Sequence, residues 1–135
     1  VLLPMLAKRI GRKYTHMICL IIGGIGLVSM LFIESKMMLL LPMVGVGLAW
    51  SSTLTMPYAI LAGALPASKM GFYMGVFNFF IVIPQILAAA ILGFFVKTMF
   101  NEQGIYALVI GGISMIIAGL LNIIVKDKDD EKLIK

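Results

Sequence analysis

Four long apolar runs dominate the chain, at residues 15–33, 37–65, 70–96 and 105–125, and none contains Asp, Glu, Lys or Arg. A bilayer core about 30 Å thick is crossed by about 20 residues of α-helix, and each run reaches or nearly reaches that length. The alternating polarity of barrel strands, in segments of about ten residues, is missing. Only helices satisfy every backbone group within one segment in lipid. The pattern therefore predicts an all-α membrane protein with four transmembrane helices. Residues 1–14 read as the end of a preceding helix plus a basic cytoplasmic loop, and residues 126–135 as a cytoplasmic tail.

Composition agrees. The chain is 61% hydrophobic and 13% charged, against about 25% charge in soluble domains, and its mean hydropathy is +1.10. So much apolar surface requires the lipid bilayer as its partner. Lys8, Arg9, Arg12, Lys13, Lys69, Lys126, Lys128, Lys132 and Lys135 fall on one side of the four spans, and only Lys36 and Lys97 on the other. The positive-inside rule then places both ends in the cytoplasm; the expected location is the plasma (inner) membrane, as a multi-pass protein. The net charge of +5 records that topology, and no nucleic-acid partner is expected. The single Cys19 excludes a disulfide and a cysteine metal site within the chain; neither metal nor cofactor is expected. The opening "VLLPMLAKRIGRK" puts its apolar part before its basic part, unlike a signal peptide. It reads as the last turn of an earlier helix, and the whole as a fragment.

Small residues mark packing. Gly23, Gly24, Gly26 and Ser29 in the first span allow close helix approach. In the fourth, Ala107, Gly111, Ser114, Ala118 and Asn122 form a stripe expected to face protein. The second span, about 43 Å long as a straight helix, must tilt or bend. Pro57 supplies a bend, because it lacks an N–H and crowds the carbonyl of Thr53. Gly71 and Gly75 in the third span have GxxxG spacing, and Pro84 lies further along it.

The polar positions are fewer and more specific. The stretch "AWSSTLTMPYA" carries Ser51, Ser52, Thr53 and Thr55 between Trp50 and Tyr58. On a helix Ser51, Thr55 and Tyr58 share one face, with Trp50, Thr53 and Pro57 on a neighbouring stripe. Hydroxyls in membrane helices bond back to carbonyls three or four residues earlier, and helix packing alone accounts for some of them. A polar cavity lining is the other reading, since a tryptophan this deep in a span faces either protein or a cavity. Asn78 and Gln85, seven residues apart, point at protein or at water for the same reason. Asn122 reads as packing and His16 as an interfacial side chain beside the basic segment.

No span interior holds a carboxylate or a fixed cation of the kind that proton relays and voltage sensors use. No HExxH, aspartate pair or Ser–His pairing suggests an intramembrane hydrolase. The chain is not expected to be an enzyme and no catalytic residue is assigned. For the hydroxyls, helix-packing glue and the lining of a polar path remain the two readings, and the first would suit a small four-helix membrane assembly subunit without transport of its own.

The segment "LAKRIGRK" (residues 6–13), leading into an apolar helix, resembles the cytoplasmic loop motif G-x-L-a-D-r-x-G-r-k of the major facilitator superfamily. Its counterparts here are Lys8, Arg9, Gly11, Arg12 and Lys13, with Lys8 where the motif carries its acid. The segment "GVGLAWSSTLTMPYAILAGALPASKMGFYMGVFNFFIVIPQI" (residues 45–86) resembles the sucrose and oligosaccharide branch, related to the glycoside–pentoside–hexuronide:cation symporters. The resemblance implies the last four helices of a twelve-helix carrier whose remaining partners are its own N-terminal helices. It implies symport of a disaccharide or glucoside with a proton or another cation, by two halves rocking about a midplane site. It makes Trp50, Ser51, Thr55 and Tyr58 sugar-contact candidates, with Asn78 and Gln85 behind them. Pro57, Gly71, Gly75 and Pro84 become bending and packing positions. The coupling carboxylate is expected outside these four helices, and another substrate within the superfamily remains open.

Overall fold

The computed structural model describes residues 2–98, 100 and 103–127; the tail from residue 128 onward, with Lys128, Lys132 and Lys135, lies outside the described residues. Every regular element among the described residues is a helix. They are α1 (Leu2–Ile10), α2 (Arg12–Ser29), α3 (Leu40–Ala64), α4 (Met70–Thr98) and α5 (Ile105–Leu121), with short 3₁₀ turns at Met30–Phe32, Ala67–Lys69 and Asn122–Ile124. Four helical stretches are long and apolar enough to cross a membrane: Arg12–Phe32, Leu40–Ala64, Ala67–Thr98 and Ile105–Ile124.

The chain divides into two compact units, Val1–Ala64 with Leu108–Lys135, and Leu65–Ala107. In the first unit α2 is central. Its N-terminal end is joined to α1 by one residue, Gly11, at φ 89° and ψ 158°, a region open essentially to glycine alone. Leu3, eight residues before this corner, packs with Cys19, eight residues after it, and with Met56 of α3. Helices α1 and α2 therefore form a hairpin with Gly11 at its tip. The basic segment is helical on both sides of that tip: Lys8 and Arg9 lie in the last turn of α1, Arg12 and Lys13 in the first turn of α2.

Glycines set the closest approaches. A methyl on Gly23 would overlap the Cβ of Ala49 in α3, and one on Gly26 would lie 2.9 Å from the carbonyl oxygen of Pro42. On another side of α2, a methyl on Gly24 would come within 2.6 Å of the Gly112 carbonyl oxygen in α5; one on Gly112 would meet the Gly24 carbonyl oxygen at 2.7 Å. Gly119 completes this contact, against Met17, Leu20 and Ile21. The stripe of α5 that packs is thus Gly112 and Gly119, which are buried, whereas Ser114 and Ala118 are exposed. The expected stripe through Gly111, Ser114 and Ala118 is displaced by one residue, about 100° around the helix. Closest approach follows the absence of a Cβ rather than small size in general. Asn122, by contrast, is buried as expected of a packing residue.

Helix α3 runs on through Pro57. Pro42 sits in its first turn, where backbone N–H groups have no intrahelical acceptor. The helix ends at Ala64, two residues before Pro66, which disfavours helical geometry at Leu65. In the second unit α4 is 29 residues long with Pro84 inside it, and none of its described residues is buried.

Candidate functional site

Helix α3 presents three different faces. Pro42, Gly45, Ala49, Ser52 and Met56 are buried, at spacings of three and four that keep them on one stripe. This stripe meets α2 through Gly23, Gly26 and Ile22. At its centre the Ser52 hydroxyl lies 2.8 Å from Nδ1 of His16, both groups buried. His16 is therefore an interior residue, which corrects its expected place at the interface. A hydroxyl across the helix pair satisfies its ring nitrogen, which makes burial tolerable.

The second face carries Leu48, Ser51 and Thr55. Together with Met56 of α3 and Leu2, Leu3 and Pro4 of α1, they line a depression of about 340 Å³. Tyr58 follows seven residues after Ser51 and is half-buried. The Thr55 hydroxyl donates to the Ser51 carbonyl at 2.8 Å. Its proton is committed to the backbone and its lone pairs remain as acceptors.

The third face points outward. Trp50 is 65% exposed and stands about 100° from Ser51 around the helix; it does not line the depression. Thr53 donates to the Ala49 carbonyl at 2.9 Å. The structure thus brings Ser51 and Thr55 together, extends their face to Tyr58, and leaves Trp50 aside.

In α4, Gly71, Gly75, Asn78 and Gln85 fall at spacings of four, three and seven, hence on one stripe. All four are exposed, and a methyl on either glycine would meet nothing within 4 Å. An apolar depression of about 210 Å³ is lined by Phe79, Phe80, Ile83 and Pro84; neither amide contributes to it.

The basic corner acts as a tether. Arg12 donates through Nη1 to the Ala59 carbonyl of α3 at 2.7 Å. Lys13 donates through Nζ to the Ile123 carbonyl at 3.0 Å, and Asn122 returns a bond from Nδ2 to the Lys13 carbonyl at 3.3 Å. The hairpin tip, the last turns of α3 and the end of α5 consequently share one end of this unit. Among the described residues no group of three His, Cys, Asp or Glu comes together as a metal site.

Two features escaped sequence reasoning: the His16–Ser52 pair and the Gly112–Gly24 contact. The three-four spacing from Pro42 to Met56 was the available signal for the first, since it places Ser52 on the packing stripe.

Four helices of this length and hydrophobicity define an integral, multi-pass membrane protein. Residues 1–135 match the Major Facilitator Superfamily, and the chain belongs to that family of membrane transporters, which are not enzymes. No curated protein and no solved structure gives a match.

Proposed function

We propose that this chain supplies the last four transmembrane helices of a sugar carrier of the sucrose and oligosaccharide branch, working by alternating access with a proton or another cation. Both ends are assigned to the cytoplasmic side on the distribution of lysine and arginine. The observation that carries the sugar reading is the depression beside α3. Its walls are aliphatic, from Leu2, Leu3, Pro4, Leu48 and Met56, and its polar groups are the hydroxyl-bearing Ser51 and Thr55.

Because Thr55 donates to the backbone, it offers a ligand only acceptors. A ligand must bring its own O–H or N–H donors. A sugar does so and can also accept from Ser51, while its C–H faces suit the aliphatic wall. Among the described residues no fixed charge lines the depression, so a carboxylate or phosphate ligand would lack a countercharge from them. Tyr58 extends the same face. Trp50, Asn78 and Gln85 are assigned as further contacts made by other surfaces of the carrier, and Pro57, Gly71, Gly75 and Pro84 as positions that bend or slide as it rocks.

The test is uptake of radiolabelled disaccharides and glucosides by cells expressing the complete reading frame that encodes this chain. The substitutions are Ser51→Ala and Thr55→Val. Each removes a hydroxyl with little change in volume. Loss of one neutral hydrogen bond of about 1 kcal/mol raises the apparent KM roughly fivefold, at unchanged protein level in the membrane. Unchanged kinetics in both variants reject the site. A carrier that moves drugs and no sugar rejects the branch.

A further inference from the structure

The tip of the α1–α2 hairpin concentrates charge that the fold uses only in part. Lys8, Arg9, Arg12 and Lys13 lie within six residues; the acid at this end among the described residues is Asp127, which is buried and stands four residues beyond Ile123. Arg12 and Lys13 are half-buried and tied to the carbonyls of Ala59 and Ile123. Lys8 and Arg9 are exposed on the last turn of α1. Immediately after the tip begins the apolar stretch Arg12–Phe32, long enough to span a bilayer. The tip therefore lies where lipid hydrocarbon gives way to headgroups. Tyr14 is also exposed there, with Lys13 Nζ 5.1 Å from its ring centre, as suits an aromatic at the membrane interface.

We propose that this tip is a headgroup site for an anionic phospholipid, with Lys8 and Arg9 as its contacts. Arg12 and Lys13 hold the tip rigid. Topology is satisfied by cations anywhere at this end of the bundle, including the two that are tethered. It does not account for an exposed adjacent pair on a corner fixed by glycine geometry and by two cross-helix bonds. The phosphodiester of a lipid fits the position better than free phosphate, because acyl chains can lie along the exposed side chains of Ile10, Tyr14 and Ile18. Each basic residue near an anionic surface contributes about 1 kcal/mol, or about fivefold in association.

The experiment places the full chain in phosphatidylcholine vesicles with a trace of spin-labelled phosphatidylglycerol or spin-labelled phosphatidylcholine. Electron spin resonance reads the immobilised fraction of each. Wild type is expected to retain phosphatidylglycerol over phosphatidylcholine, with the preference falling up to about fivefold in each of Lys8→Gln and Arg9→Gln. It should collapse at 1 M salt, where the screening length is about 3 Å, and persist in Lys36→Gln. Circular dichroism confirms that the variants keep their helices. Equal retention of the two lipids by wild type overturns the proposal, as does an undiminished preference in the Lys8→Gln/Arg9→Gln double variant. Release of the lipid by inorganic phosphate at constant ionic strength reassigns the site to free phosphate and overturns it too.

Discussion

Adjacent glycines in α5 should respond oppositely to the same substitution. In Gly112→Ala the added methyl would sit 2.7 Å from the Gly24 carbonyl oxygen, 2.9 Å from Val28 Cγ2 and 3.0 Å from Leu27 Cβ. A carbon rests against a carbonyl oxygen at about 3.3 Å, so the contact is roughly 0.6 Å too short. The obstacle is backbone, which cannot rotate away, and α2 and α5 must separate. Overpacking of this kind costs about 1–3 kcal/mol. Alanine's better helix propensity returns up to about 1 kcal/mol, and less in lipid, where the helix is already enforced. The expected net loss is about 1–2 kcal/mol. In Gly111→Ala the nearest atom is Leu27 Cδ1 at 4.0 Å, an ordinary contact, and stability should be unchanged or slightly raised. Denaturation of the purified chain in mixed detergent, followed by circular dichroism, separates the two. Equal losses at Gly111 and Gly112, or none at either, would refute the assignment of the α2–α5 contact.

Two further outcomes test the first unit. A double-mutant cycle on His16→Phe and Ser52→Ala should give a coupling energy of about 0.6–1.7 kcal/mol, the range for interhelical hydrogen bonds in membranes; additivity within error would mean that the pair does not hold α2 to α3. Gly11→Ala forces a Cβ into backbone geometry at φ 89°, costing about 1–3 kcal/mol. A thermal transition in detergent that stays at the wild-type temperature would show that the hairpin corner does not depend on this residue.

The four long apolar helices and the superfamily were legible because both depend on properties written continuously along the chain: run length, exclusion of charge, and two motif stretches. Which face of each helix packs was much less legible. In a soluble helix the apolar stripe marks the core, but a membrane helix is apolar all round and that periodicity is lost. What remains is the position of residues without a side chain. In α2 it sufficed, since Gly23 and Gly26 meet α3 while Gly24 meets α5. In α5 serine and alanine were counted alongside glycine, and the stripe came out one residue away from Gly112 and Gly119. His16 was placed by its neighbours in sequence, the basic residues, whereas its burial is decided by Ser52, thirty-six positions away.

The hydroxyl cluster of α3 shows why residue type alone does not assign a role in such a helix. Its four members stand within five positions, yet rotation by about 100° per residue sends them to different surroundings. Ser52 is spent on joining two helices. Thr53 and Thr55 donate to the backbone one turn earlier. Ser51 and Thr55 border open space against α1. Packing against α2 and a place beside the depression next to α1 are therefore divided by helix face. The division also orders the transport variants. Substitution at Ser52 should act first on stability, and substitution at Ser51 or Thr55 first on apparent affinity. Trp50→Ala is the informative intermediate. Its indole is outside the depression, so an effect on uptake with normal insertion would mean that a second surface of the carrier reaches the substrate.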